Sequence, residues 1–435
     1  MKHISDRPGR SVLPAGLTIL TVISLLAASC GSSTDVADAT AGADAIGELE
    51  SDPAVEDAAP GDDNDDAEGE EPAVAPAPTT TSTSSTTTTT STTTSTTTTT
   101  LAPSPVDCAA QVPLEQRVGQ LMFPVMVQSE FEAASELAAA GLLGGVVVLG
   151  APDLSIPDDI AAYQERSLYG PGIIAVDEEG GRVQRLDQLT SSLPSAETVA
   201  ATLTLAEAQQ LAEDHARAIG ELGFTMNLAP VVDIDNGGFI TDRAFSSDAE
   251  VVTDYAFATA DGILAAGLDP VVKHFPGHGR GIDSHTGLPT IPNVDVLLES
   301  DLVPFVEAIE RGDLPIMVGH LVVEGLTGDE PASISAEAID GLLRTELGFD
   351  GLVMTDALNM DAISTTLNNA EAAEQSLAAG VDLIMLGSVA DTNLTIEGVL
   401  DAVENGRITE QSISESFARV MSTRGIDPCA LTSDE

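Results

Sequence analysis

The sequence predicts an α/β fold, a single (β/α)8 TIM-type barrel preceded by a disordered linker. Three observations predict it. Eight short apolar runs alternate with alanine-rich amphipathic stretches. The 330 residues from Val106 onward have globular composition, a length ordinary for one such barrel. Unusual polar residues (Asp177, Asp233, Lys273 with His274, His320 and Asp356) each follow one of the runs. In a barrel the carboxyl ends of all strands meet at one face, so these residues would converge there. The alternative arrangement of the same elements is an open doubly wound sheet.

Residues 1–30 carry Lys2, Arg7 and Arg10, then an apolar run, then Ala27, Ala28 and Ser29 before Cys30. This is an export-signal pattern. It is similar to a bacterial lipobox, in which Cys30 becomes a lipid-bearing amino terminus. Simple cleavage and an uncleaved anchor are the alternatives, although Pro14 and Gly16 leave the run short for a membrane span. Residues 31–105 are first acidic and then, over 79–100, only Thr and Ser. Neither part can bury enough apolar surface to fold. The expectation is a flexible tether that holds the following domain off a membrane.

Within 106–435 the apolar runs fall at 118–127, 145–149, 172–176, 224–232, 270–272, 315–318, 351–354 and 381–386. They are rich in β-branched residues and bounded by Gly, Pro or charge, as buried strands are. Helices are expected over 205–222 and 251–266, among others. Cys108 and Cys429 stand at the two ends of this region. In an exported chain such a pair predicts a disulfide joining entry to exit. Redox or metal chemistry is the less favoured use, because two lone cysteines match no ligand spacing.

The net charge is −54, and it is not confined to the linker. Residues 31–100 hold fifteen acidic residues and no basic one. Such a surface repels nucleic acid and anionic membranes, so no nucleic-acid partner is expected, and membrane contact only through a lipid at Cys30. Basic residues become informative by scarcity. Lys273 is the one lysine of the globular region, and four of the six histidines fall between 274 and 320. The chain has no tryptophan, which excludes stacking of a ligand on indole.

The strongest segment is Lys273-His274-Phe275-Pro276-Gly277-His278-Gly279, followed by Asp283-Ser284-His285. Glycine and proline build a tight loop, and Lys273 and His274 can donate to hydroxyl groups. Asp283 lies two residues before His285. That spacing lets the carboxylate accept from one imidazole nitrogen and leaves the other to exchange protons. A second segment, Val353-Met354-Thr355-Asp356, ends a strand on a carboxylate with no Lys or Arg nearby in sequence. It reads equally as an exposed nucleophile or as the N-cap of the next helix. The third, Asp177-Glu178-Glu179-Gly180-Gly181-Arg182-Val183-Gln184-Arg185, lacks the spacing of a phosphate-cradling loop.

Together these segments closely resemble glycoside hydrolase family 3, and within it the single-domain bacterial β-N-acetylhexosaminidases that act on peptidoglycan fragments. Leu228-Ala229-Pro230-Val231-Val232-Asp233, Met317-Val318-Gly319-His320 and Pro331-Ala332-Ser333-Ile334-Ser335 extend the resemblance over about 114–425. It implies that 106–435 is the hydrolase barrel, that Asp356 is the nucleophile, and that Asp283 and His285 are the acid/base pair on a mobile loop. It implies that Asp177, Arg185, Lys273 and His274 bind the sugar, with Arg243 on its N-acetyl side. Two departures stand out. Three residues separate Gly279 from Asp283, one fewer than the family pattern, and Glu178 replaces an expected His or Gln.

The implied reaction is retaining exo-hydrolysis of terminal β-linked N-acetylglucosamine through a covalent glycosyl-Asp356. His285 would act as acid and then as base. An imidazole with an ordinary pKa near 6.5 suits both roles with little tuning. No metal or cofactor is required. The expected partner is a small glycan or muropeptide, and the expected form is a monomer on the outer face of a bacterial membrane. The rival readings are a phosphorylase, a β-glucosidase of the same family, and a catalytically dead wall-binding lipoprotein.

Overall fold

The computed structural model describes residues 103–312 and 314–432. The expected export signal, Cys30 and almost all of the expected linker lie outside the described residues. The strands are β1 Met122–Val127, β2 Gly145–Leu149, β3 Ile173–Val176, β4 Met226–Asn227, β5 Asp269–Pro270, β6 Val272–Phe275, β7 Thr290–Ile291, β8 Ile316–Val318, β9 Val322–Val323, β10 Val353–Thr355 and β11 Ile384–Leu386.

The strand pairings are parallel. One sheet runs β11-β1-β2-β3-β4-β5, a second β10-β8-β6, and β7 pairs with β9. Isolated parallel bridges link Val231 to Lys273 and Met354 to Leu383. The two larger sheets therefore touch on both sides, through β6 and through β10. Strands such as Gly145–Leu149 are near-continuous apolar runs with both faces covered, as parallel sheets between helices require.

Each expected run yields a strand; 145–149 keeps its bounds, and the others are shortened, shifted or split. The first loses its leading residues to the helix Leu114–Gly119. The run at 224–232 keeps only two strand residues; Pro230 offers no N–H to a ladder. The run at 270–272 splits into β5 and β6, so Lys273 and His274 lie inside a strand rather than beyond it. The pairing register of β6 with β8 shifts between Lys273 and Phe275, and such an irregularity re-aims neighbouring side chains. The short β7–β9 pair and the π-helix Glu337–Glu346 had no signal in the sequence pattern.

The helix Leu205–Glu221 starts on a capping box, with Thr204 and Glu207 each bonding the other's backbone N–H. Its Ala208, Ala212, Ala216 and Ile219 are buried, and His215 joins them on the inner face. The helix Ala249–Ala265 packs against it, capped by Asp248. Gly262 lets the two approach: a Cβ there would stand 2.3 Å from Gln209 O. The expected disulfide is formed between Cys108 and Cys429.

Candidate active site

The base of the site is a buried set of charges. Lys273, 2% exposed, places Nζ 2.7 Å from Asp177 Oδ1 and 2.7 Å from Glu179 Oε1. Arg243 donates from Nε and Nη2 to the two oxygens of Glu179, at 2.8 and 2.9 Å. This is the bidentate geometry that suits a guanidinium. Arg185 Nη2 stands 3.9 Å from Asp177 Oδ2. Burial opposes the charges of Lys273, Arg243 and Glu179, and their partners outweigh it. Lys273 and Arg243 are pushed up by the carboxylates, and Glu179 is held well below the usual range by Lys273 and Arg243.

His274 enters from β6. Its Nδ1–H donates to Asp233 Oδ2 at 2.7 Å, and its Nε2 is 3.4 Å from Arg243 Nη2. Asp233 also accepts the backbone N–H of His278 at 2.6 Å, so one buried carboxylate fixes both the imidazole and the turn after it. The turn is tight. A Cβ on Gly279 would lie 1.7 Å from Ile234 O, so only glycine fits.

Asp356 follows β10 directly. Its backbone N–H donates to Val318 O at 2.9 Å, which ties the end of β10 to that of β8. The side chain is buried, with 8% exposure, rather than exposed as the sequence suggested. It is not the cap of the next helix either: that helix, Asp361–Ser364, begins after Met360. Oδ1 accepts from Ala357 N at 2.8 Å. Burial pushes this carboxyl up. The His274 and His320 imidazoles, the Ala357 N–H and Lys273 outweigh it and hold the group below its ordinary value. Asp356 is therefore ionised at neutral pH. His320 lies fully buried, donating Nε2–H to Ala357 O at 3.0 Å, with Nδ1 2.7 Å from Ser333 Oγ.

His285 occupies the loop between β6 and β7. Its Nδ1 is 2.9 Å from Asp283 Oδ1, and its backbone N–H donates to the same oxygen at 3.0 Å. An ionised carboxylate only accepts, so Nδ1 carries the proton and Nε2 is left for exchange. The side chain is 62% exposed.

A cavity of about 260 Å3 is lined by Asp177, Arg185, Arg243, Lys273, His274, His285 and Asp356. Seven of the eight site residues expected from the sequence thus share one space, and the eighth, Asp283, holds His285. A larger depression of about 620 Å3 lies elsewhere, bordered by Asp269, Pro315, Gly351 and Arg419, and shares none of these residues.

Sequence reasoning missed Glu179, the partner of both Lys273 and Arg243. It also gave no role to Glu178. That side chain is buried, 2.9 Å from His215 Nε2, and its Oε1 accepts the N–H of Leu186 at 2.6 Å and that of Arg185. Glu178 thereby closes the loop that carries Arg185. The signal was present in the unusual run of three consecutive acids before a double glycine.

The family model described as Glycosyl hydrolase family 3 N terminal domain matches residues 113–423. Over 300 residues the chain is 40% identical to the Beta-hexosaminidase LpqI of Mycobacterium tuberculosis, covering 66% of this chain and 76% of that one. The solved structure of M. tuberculosis LpqI matches with a TM-score of 0.70 and 37% identity, over 74% of this chain and 97% of that chain. A glycoside hydrolase family 3 β-N-acetylglucosaminidase from Paenibacillus sp. str. FPU-7 matches with a TM-score of 0.69 and 32% identity, over 74% and 64% of the two chains.

Proposed function

The chain belongs to glycosyl hydrolase family 3 and is a glycoside hydrolase, and from that premise we propose that it is a retaining exo-β-N-acetylglucosaminidase working on peptidoglycan fragments. The observation that carries the reading is the meeting of an ionised carboxylate, Asp356, and an aspartate-held imidazole, His285, in one cavity floored by Lys273, Asp177, Glu179 and Arg243. Hexosaminidase names among the relatives support the sugar. The proposed scaffold is a closed (β/α)8 barrel, supported by the parallel bridges Val231–Lys273 and Met354–Leu383 between the two larger sheets.

In the proposed reaction Asp177 and Arg185 hold sugar hydroxyls. Lys273 spends two of its donors on Asp177 and Glu179, so its main service is to fix those carboxylates. Asp356 attacks the anomeric carbon while His285 Nε2–H protonates the leaving oxygen. The bond from carbon to the aglycone breaks and a glycosyl-Asp356 ester forms. His285, now neutral at Nε2, takes a proton from water, which releases the sugar with net retention and restores both groups.

The proposed place of action is outside the cell, with the domain tethered by a lipid at Cys30, supported by the signal-like pattern of residues 1–30. The functional test is hydrolysis of a chromogenic N-acetyl-β-glucosaminide with and without phosphate. Free N-acetylglucosamine as product in both cases is expected. A sugar phosphate would assign the enzyme as a phosphorylase, and no turnover would favour a binding protein.

A further inference from the structure

The cavity that holds His285 has one aromatic side chain in its lining, Phe239, which is 37% exposed. Ile282, adjacent to Asp283 in the loop that carries His285, is 59% exposed. The two belong to segments joined through the backbone. Gly238 N–H donates to Gly279 O at 3.1 Å, and Phe239 N–H donates to Gly281 O at 2.9 Å. Phe239 is therefore fixed to the loop that presents the acid.

Arg182 fixes the ring from the other direction. Its Nη1 donates to Thr241 Oγ1 at 2.6 Å and pairs with Asp242, and its Nη2 donates to Phe239 O at 3.3 Å and Ile240 O at 3.0 Å. All four terminal N–H groups are thus committed to the segment 239–242. The guanidinium carbon stands 5.6 Å from the Phe239 ring centroid, a cation–π separation. Arg182 holds the platform and has no terminal N–H left over to clamp a substrate.

A general acid must stand beside the oxygen it protonates. The leaving group then lies on the His285 side of the cavity, and Phe239, which lines that cavity, is bonded through its backbone to the loop that carries His285. A pyranose offers an apolar C–H face that suits an aromatic ring, and this chain has no tryptophan to provide one. We infer that Phe239 is the leaving-group platform of this enzyme, taking the face of a second pyranose ring. The inference rests on the glycosidase reading above.

The test compares kcat/KM for N,N′-diacetylchitobiose, whose leaving group is a pyranose, with that for methyl N-acetyl-β-glucosaminide, whose leaving group has no ring. The measurement is made on the wild type and on Phe239→Ala, Phe239→Leu and Phe239→Tyr. The ratio of the two values is expected to fall about five- to tenfold in Phe239→Ala, the size of a lost ring contact. It should fall in Phe239→Leu, which keeps apolar volume without a flat ring, and persist in Phe239→Tyr. Equal losses on both glycosides, or an unchanged ratio, in folded Phe239→Leu would overturn the platform. A wild type that cleaves neither glycoside would overturn the glycosidase reading itself.

Discussion

Nδ1 of His285 lies 2.9 Å from Oδ1 of Asp283, on a side chain that is mostly open to solvent. The contact sets the tautomer and leaves Nε2 as the exchanging atom. His285→Ala should lower kcat/KM by about 10²–10⁴-fold on a glycan with a poor leaving group. The loss should be far smaller on an activated aryl glycoside, which needs no protonation. Steady-state kinetics on the two substrate types checks this. Equal loss on both would remove His285 from the acid role.

Glu178 and His215 form a buried pair, 2.9 Å apart, beneath the loop that carries Arg185. Neither side chain reaches the sugar site, so their effect passes through that loop. His215→Ala leaves a buried carboxylate without its partner and should cost about 3–5 kcal/mol of stability, read by chemical denaturation. Glu178→Gln keeps an acceptor for the Arg185 and Leu186 N–H groups and should cost less, about 1–3 kcal/mol. In both variants KM should rise more than kcat falls, because the loop they displace carries Arg185, the residue proposed to hold sugar hydroxyls.

Stability should fall in two stages as pH drops. Burial and His274 hold the His278 imidazole below its ordinary value, and burial does the same for His320. The unfolded chain binds their protons more readily, so their contribution is full above about 6.5 and is lost as pH falls through the lower folded values. Asp356, Asp233 and Glu179 are held below the carboxylate range despite burial. Their contribution is full above about 4 and is lost in stronger acid. Lys273 is raised, so its contribution is full below about 10.4 and fades as pH rises through its folded value. Thermal melts across pH 3–11 check the two acid steps and the alkaline one.

The Cys108–Cys429 bond joins residues 321 apart and ties the helix Pro105–Ala109 to the turn Pro428–Thr432. Cross-linking so long a loop restricts the unfolded chain, and Cys108→Ser with Cys429→Ser should lower stability by about 2–5 kcal/mol. Activity at moderate temperature should persist, since neither residue lines the cavity. Calorimetry with and without reductant on the wild type should reproduce the same difference.

The sequence carried a large part of this. Strand ends were legible because a buried parallel strand is apolar on both faces, so a charge such as Asp177 or Asp356 at its end is conspicuous. The histidine loop was legible because Gly279 and its neighbours have no other reason to cluster beside so many titratable groups. Register was not legible. Whether Lys273 and His274 lie past a strand or within it depends on pairing with β8, which local pattern does not encode. Nor were long-range partners: Glu179 meets Arg243 across 64 positions and Glu178 meets His215 across 37. Only the fold shows that Asp356 does not cap the next helix, which starts at Asp361, because a cap and a functional carboxylate both begin as an acid after an apolar run.

The proposed reaction turns on a covalent bond between Asp356 and the sugar. The direct test is to treat the enzyme with a fluorinated N-acetylglucosaminyl fluoride that slows release of the intermediate, then to map the adduct by peptide mass spectrometry. A single glycosyl adduct on Asp356, absent from Asp356→Asn, is the result expected. Turnover without any adduct, giving sugar of inverted configuration, or an adduct on a different residue would contradict it.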